Sequence, residues 1–224
     1  MNQGKVYTSF YDIPNQQGYR QPFEPGFRFS RTEIVHITIS VGALTVAFAF
    51  ALSPYPPLSH LTYVLFNLPL SFLAIATAFV CHELAHKYVG QKYGYQSEFR
   101  MFAQGLLFAL LLGVFFGVVF AAPGAVQIYG SPSKEESGKM AAAGPATNLL
   151  IAAICYTIVL ASSGVLQTIA LFIVIINTIL AVFNLIPFGM FDGRKIIRWN
   201  ILVWVMLLLI GIVFLVLGYA PVFF

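Results

Sequence analysis

Five stretches of this chain, at about 34–52, 62–91, 139–161, 167–187 and 200–218, are nearly unbroken apolar runs of 18 residues or more. An α-helix rises 1.5 Å per residue, so each is long enough to cross a hydrocarbon core of roughly 30 Å. No soluble fold needs five such runs. Only 9% of the 224 residues are charged and 59% are apolar, whereas soluble domains are about a quarter charged. The chain is therefore expected to be an all-α polytopic membrane protein, surrounded by a lipid bilayer, whose backbone polar groups are satisfied within its own helices.

The loops orient the spans. Residues 1–33 carry Lys5, Arg20, Arg28 and Arg31, with Pro14, Pro22, Pro25 and several glycines and no apolar core of a signal peptide. They read as an N-terminal cytoplasmic tail, followed by one transmembrane domain over 34–224. Segment 87–100 carries Lys87, Lys92 and Arg100, and segment 193–199 carries Arg194, Lys195 and Arg198. Loop 53–60, the turn at 162–166 and residues 219–224 carry no Lys or Arg. An alternation with the basic segments on the cytoplasmic side satisfies the positive-inside tendency. It places the N-terminus in the cytoplasm of what is expected to be a prokaryotic cell.

Residues 101–123 form one further apolar block. As a full span they would put Arg194, Lys195 and Arg198 outside, and they are too short to cross twice as helix. The block is expected to enter and leave on the cytoplasmic side as a re-entrant loop or β-hairpin, with Val118–Phe120 and Ala125–Tyr129 leaning to strand. An ordinary sixth span with a weak charge bias is the alternative, so the expectation is five to six transmembrane helices. The net charge of +4 comes without any run of basic residues, so nucleic-acid binding has no support. Cys81 and Cys155 both lie within apolar blocks and are expected to be packing residues rather than a disulfide.

The second block contains His82-Glu83-Leu84-Ala85-His86, an H-E-x-x-H. Residues four apart share a helix face, so both imidazoles can address one Zn²⁺, while Glu83 can reach a water there as general base. Two histidines and an acid in an apolar span are costly unless paired or bound to metal. The bland reading, two inert polar residues facing the bundle interior, is correspondingly weak. A catalytic zinc needs a third protein ligand and one open position. His36 and His60 are poorly placed. Of the acids, only Asp192 directly follows an apolar span, in Asn184-Leu185-Ile186-Pro187-Phe188-Gly189-Met190-Phe191-Asp192-Gly193. The charge pattern puts it at the same membrane face as the H-E-x-x-H end of the second block. Asp192-Gly193 as a plain surface turn is the competing reading.

The H-E-x-x-H helix followed by N-x-x-P-x(4)-D-G at the end of a later span resembles the site-2 protease family of intramembrane zinc metalloproteases. The likeness covers about residues 62–200. It implies His82, His86 and Asp192 as zinc ligands, Glu83 as catalytic base, and a transmembrane protein as substrate. Gly144-Pro145-Ala146-Thr147-Asn148 is similar to the family's G-P-x-x-N, which implies that Asn148 holds the substrate backbone or the oxyanion. The alternative for Gly144-Pro145 is a helix kink, with Asn148 joining helices. The family's membrane-associated hairpin falls where charge parity puts the re-entrant block, and Ala125–Tyr129 is the candidate edge for an extended substrate. Three other functions compete. A metal transporter needs further ligands along a path, and the other spans offer almost no His, Asp or Glu. An inactive scaffold sits badly with an intact Glu83. A zinc hydrolase of lipids or prenylated peptides stays open.

Overall fold

The apolar blocks fold as helices in a computed structural model that describes residues 27–119 and 123–223. Most of the expected tail therefore lies outside the described residues. Helix α1 covers Arg31–Ala51, and a 3₁₀ turn at Pro57–His60 leads into α2 (Leu61–Ile75). A π-turn at Ala76–Val80 joins α2 to α3 (Cys81–Lys92). Pro69 lies inside α2 and does not end it; the irregularity comes one turn before the H-E-x-x-H instead. Beyond α3 come strand β1 (Gln96–Met101), α4 (Ala103–Phe116), β2 (Gly124–Tyr129), α5 (Lys134–Ala161), α6 (Gly164–Asn184), α7 (Asp192–Trp199) and α8 (Ile201–Phe223).

Among the described residues five helical runs are long and apolar enough to cross a membrane: Arg31–Ala51, Leu58–Lys92, Lys134–Ala161, Gly164–Asn184 and Ile201–Tyr219. The block after α3 is not a sixth. With 14 residues, α4 is about 21 Å long at 1.5 Å per residue and falls short of the hydrocarbon core. Strands β1 and β2 pair antiparallel on either side of it, with Gln96 opposite Tyr129 and Met101 opposite Gly124, so the chain returns to the level it left. The re-entrant expectation is met by a helix mounted on a hairpin. Val118 and Val119, expected as strand, are not in one, and Phe120 lies outside the described residues. The strand that pairs with β2 comes from 96–101, a charged stretch that reads as loop in the sequence.

Burial is arranged for lipid outside and protein inside. Leu65, Phe66, Leu160 and Val165 are exposed, while the buried positions include Ala47, Ala49, Ala74, Ala152, Ala170, Ala181 and Ser71. Small side chains let helices approach where lipid offers no hydrophobic drive to bring them together. One core joins Leu44 of α1, Ile75, Phe79, Phe99 of β1, and Leu106 and Ala109 of α4. A second packs α5 on α6 through Ala152, Val159, Ala170 and Val174. A third ties Ala141, Leu185 and Ile196 together beneath Trp204. At the start of α5, Ser133 and Glu136 form a reciprocal capping box.

Helices α1 and α4 approach closely at Gly113, where an added Cβ would stand 2.6 Å from the Ala47 carbonyl oxygen and 3.0 Å from its Cα. Backbone cannot yield there as a side chain would. We expect Gly113→Val to destabilise the protein by about 1–3 kcal/mol through overpacking. A lowered thermal midpoint in detergent would show it. Gly42→Val, at a position on α1 with nothing within 4 Å, should leave that midpoint unchanged.

Candidate metal centre

Helix α3 presents His82 and His86 from one face, and both are buried. The π-turn just before it rephases the helix, a local device that recurs at functional sites. Asp192 reaches the same point from the start of α7. The chain leaves α6 at Asn184, turns through Leu185 to Phe191, and begins α7 with the carboxylate buried. The Trp204 indole on α8 donates to the Leu185 carbonyl at 2.7 Å and pins this turn.

Asp192 Oδ2 lies 3.3 Å from His82 Nε2 and 3.1 Å from His86 Nε2. Donors about 2.0–2.1 Å from a tetrahedral metal stand roughly 3.3–3.4 Å apart, so these separations, the second slightly shorter, are close enough for the three groups to hold one ion. The outer nitrogens of both rings are engaged. His86 Nδ1 lies 2.8 Å from the Met140 carbonyl oxygen, which can only accept, so Nδ1 carries the proton and Nε2 the lone pair. His82 Nδ1 lies 2.5 Å from Asn148 Oδ1. The orientation of that amide is fixed because Asn148 Nδ2 donates to the Ala78 carbonyl at 2.9 Å and to Asn177 Oδ1 at 2.9 Å. Asn177 is fixed in turn by donating to the Ile173 carbonyl at 3.0 Å. Such outward bonds set tautomer and ring angle in metal sites.

A glycine keeps the space in front of the donors open. A Cβ on Gly144 of α5 would lie 2.6 Å from His82 Nε2 and closer still to His86 Nε2. The donor set and this cradle fit a divalent ion such as zinc. Among the described residues His82, His86 and Asp192 are the group of His, Cys, Asp or Glu donors close enough together to hold one.

Glu83 is half-buried, and its Oε2 accepts the Val126 N–H at 3.0 Å. Phe99 and Val126 are opposite each other in the hairpin, yet the Phe99 N–H donates to Glu33 at 2.9 Å. Both amides thus point out of the ladder. The free edge of β2 therefore lies against Glu83, and that of β1 against α1.

The other sequence candidates separate cleanly. His36 Nδ1 accepts the Met101 N–H at 3.4 Å, and His60 stacks edge-on to Tyr63. Cys81 and Cys155 are both free. Asn148 is held on all sides by protein groups. The residue is fully buried, and in this arrangement both amide protons are given to protein oxygens. Sequence reasoning passed over Asn177 and Glu33. A carboxamide in the middle of an apolar span was the available signal for Asn177; for Glu33 there was none beyond its position at a helix start.

Comparison with known proteins agrees with this geometry. The sequence profile of peptidase family M50 matches residues 70–167, which include the H-E-x-x-H and the G-P-x-x-N. A protein of Methanocaldococcus jannaschii that carries the provisional name of a zinc metalloprotease is 41% identical over 181 residues, covering 80% of this chain and 90% of its own length. No solved structure matches the chain. With four-fifths of the chain aligned at that identity and the family profile spanning the H-E-x-x-H and G-P-x-x-N helices, the chain belongs to peptidase family M50, the site-2 protease family.

Proposed function

We propose that this M50 membrane metalloprotease hydrolyses a peptide bond in or beside a transmembrane helix of another membrane protein. His82, His86 and Asp192 hold zinc, and Glu83 is the general base. The observation that carries this reading is the position of Glu83, one residue along α3 from a metal-facing imidazole and hydrogen-bonded to the edge of β2. Zinc bound there supplies a Lewis acid and lowers the pKa of a water to about 7. Glu83 takes the proton of the attacking water and returns it to the leaving amine.

A substrate helix hides its carbonyls in its own hydrogen bonds, so a short stretch must unwind before attack. Its freed amides and carbonyls need partners in a medium that offers none. The outward-facing groups of β2 at Gly124, Val126 and Ile128 supply them by strand addition beside the base. Basic residues follow the site's elements along the chain, Lys92 and Arg100 after His86 and Arg194, Lys195 and Arg198 after Asp192, and we take them to mark the membrane face nearest the site. On the positive-inside tendency this face is cytoplasmic, with the N-terminus on the same side, in a prokaryotic cell membrane. We assign Asn148 to the metal side: it orients His82, and Asn177 orients Asn148.

Zinc content and cleavage of a transmembrane substrate, measured together on detergent-purified protein, test the core of the proposal. His86→Ala and Asp192→Ala should lose the metal and the activity. Glu83→Gln should keep the metal and lose cleavage by about 10²- to 10⁴-fold, the range for a general base. A wild type that holds zinc and passes it across liposomes without cutting would replace the protease reading with transport.

The cradle gives a sharper test. Gly144→Ala leaves every ligand intact but puts a methyl among the donors, so zinc content should fall to that of His86→Ala. Full occupancy in this variant would show that the ion sits elsewhere. For the carboxamide chain, Asn148→Ala and Asn177→Ala should each weaken zinc binding about 10- to 100-fold in competition with a chelator, as loss of a ligand's outer partner does. Unchanged affinity with a lower kcat for Asn148→Ala would return that residue to the substrate side.

A further inference from the structure

Glu33 and Lys87 form an ion pair with both side chains almost completely removed from solvent. Neither belongs to the metal centre. Glu33 lies in the first turn of α1, held by the Ser30 cap, and its second carboxylate oxygen accepts the Phe99 N–H at 2.9 Å. Lys87 directly follows the metal-facing His86 and sits four residues after Glu83, on the same face of α3. Its ammonium is roofed by Phe29, 4.4 Å from the ring centre, and by Phe27 at 5.8 Å.

The contacts close into a ring. Glu83 accepts Val126 N–H, Val126 faces Phe99 across the hairpin, Phe99 N–H goes to Glu33, Glu33 pairs with Lys87, and one turn of α3 returns to Glu83. Two consequences follow from this geometry. The ammonium that i,i+4 spacing would otherwise bring to Glu83 is held by a different carboxylate. The edge of β2 is also set against Glu83 from behind, through the Phe99–Val126 pair.

We infer that the buried Glu33–Lys87 pair is a positioning device for the base: it keeps Lys87 off Glu83 and fixes the substrate edge of β2 beside it. The inference rests on the protease reading, in which Glu83 must be free to take a proton. It separates two functions of Glu33 that substitutions can split. Glu33→Gln keeps an acceptor for Phe99 N–H but no longer neutralises Lys87, which turns to Glu83. Glu33→Ala removes the acceptor as well and loosens the edge.

The experiment is steady-state cleavage of a transmembrane substrate, with zinc content measured on each preparation. Glu33→Gln should hold wild-type zinc with unchanged KM and a kcat lowered about tenfold or more, within the range a general base contributes. Glu33→Ala should raise KM in addition. Glu33→Gln combined with Lys87→Met removes the stray ammonium and should recover most of the lost kcat, an outcome that a purely structural role for the pair does not produce. The double variant also covers the case in which Glu33→Gln alone unfolds, because it buries no unpaired charge. Wild-type kcat in Glu33→Gln overturns the inference, and so does a folded, zinc-loaded double variant that cuts no faster than the single. If wild-type protein with full zinc cuts nothing, the protease reading fails first and the inference goes with it.

Discussion

The helix that carries the H-E-x-x-H places His82, Glu83, His86 and Lys87 close together within a largely apolar run. In that medium an unpaired polar group costs several kcal/mol, and an unpaired charge more. The neighbouring elements supply the partners that this one helix requires. His82 leans on Asn148 of α5 and through it on Asn177 of α6; His86 leans on the Met140 carbonyl. Glu83 takes an amide of β2, and Lys87 takes Glu33 of α1, which also holds β1. Removing one partner of such a buried pair typically costs about 3–5 kcal/mol, a large share of the roughly 5–15 kcal/mol that holds a domain together. The elements are bound to α3 by polar obligation as much as by packing.

Small residues make those obligations geometrically possible. A hydrogen bond between neighbouring helices needs their axes close, and lipid does not push them together. Gly144 lets α5 pass directly in front of the two imidazoles. The same close passage brings Met140 and Asn148, one helical turn to either side, to the outer nitrogens of the two rings. The glycine that leaves room beside the two imidazoles and the residues that orient their rings are therefore consequences of a single helix position. Pro145 beside it gives up a backbone donor, which is tolerable in a membrane helix covered by neighbours.

What could be read from the sequence was what repeats or what is expensive. The spans were legible because hydrocarbon thickness fixes their length, and the re-entrant block because a sixth crossing sets Arg194, Lys195 and Arg198 against the positive-inside tendency. His82, Glu83 and His86 were legible because two imidazoles at i,i+4 with an acid between them are costly in an apolar run unless a metal or a partner holds them. Asp192 lies far along the chain and was reached through its place directly after an apolar span, the charge pattern and the N-x-x-P-x(4)-D-G likeness. The parts that stayed hidden depend on contacts without a period. Glu33 and Lys87 are 54 residues apart, and Asn148 and Asn177 are 29 apart. Strand β1, Gln-Ser-Glu-Phe-Arg-Met, has the charge of a loop because only Ser97 and Phe99 of its residues are buried. Helix α7 was hidden in the same way, as a charged cluster after a turn.

The hairpin explains why so apolar a block follows the metal helix. A bare hairpin would carry its unpaired edge into lipid, where nothing satisfies it. Here α4 fills the loop between the strands and packs on α1 through Leu106, Ala109 and Gly113. The two strands are thus held at the depth of Glu83 without crossing the bilayer. Of the outward amides at the central pair, one is consumed by Glu33 and the other by Glu83. The first is a structural bond between buried groups. The second joins the strand edge to a half-buried carboxylate, which in the proposed reaction must change partners. On the function proposed above, a substrate strand adding to β2 competes for the same Val126 N–H, so docking and release of the base become one event. The edge and the base are then coupled by a single hydrogen bond, and that coupling requires the strand to be set from its other side, by α1.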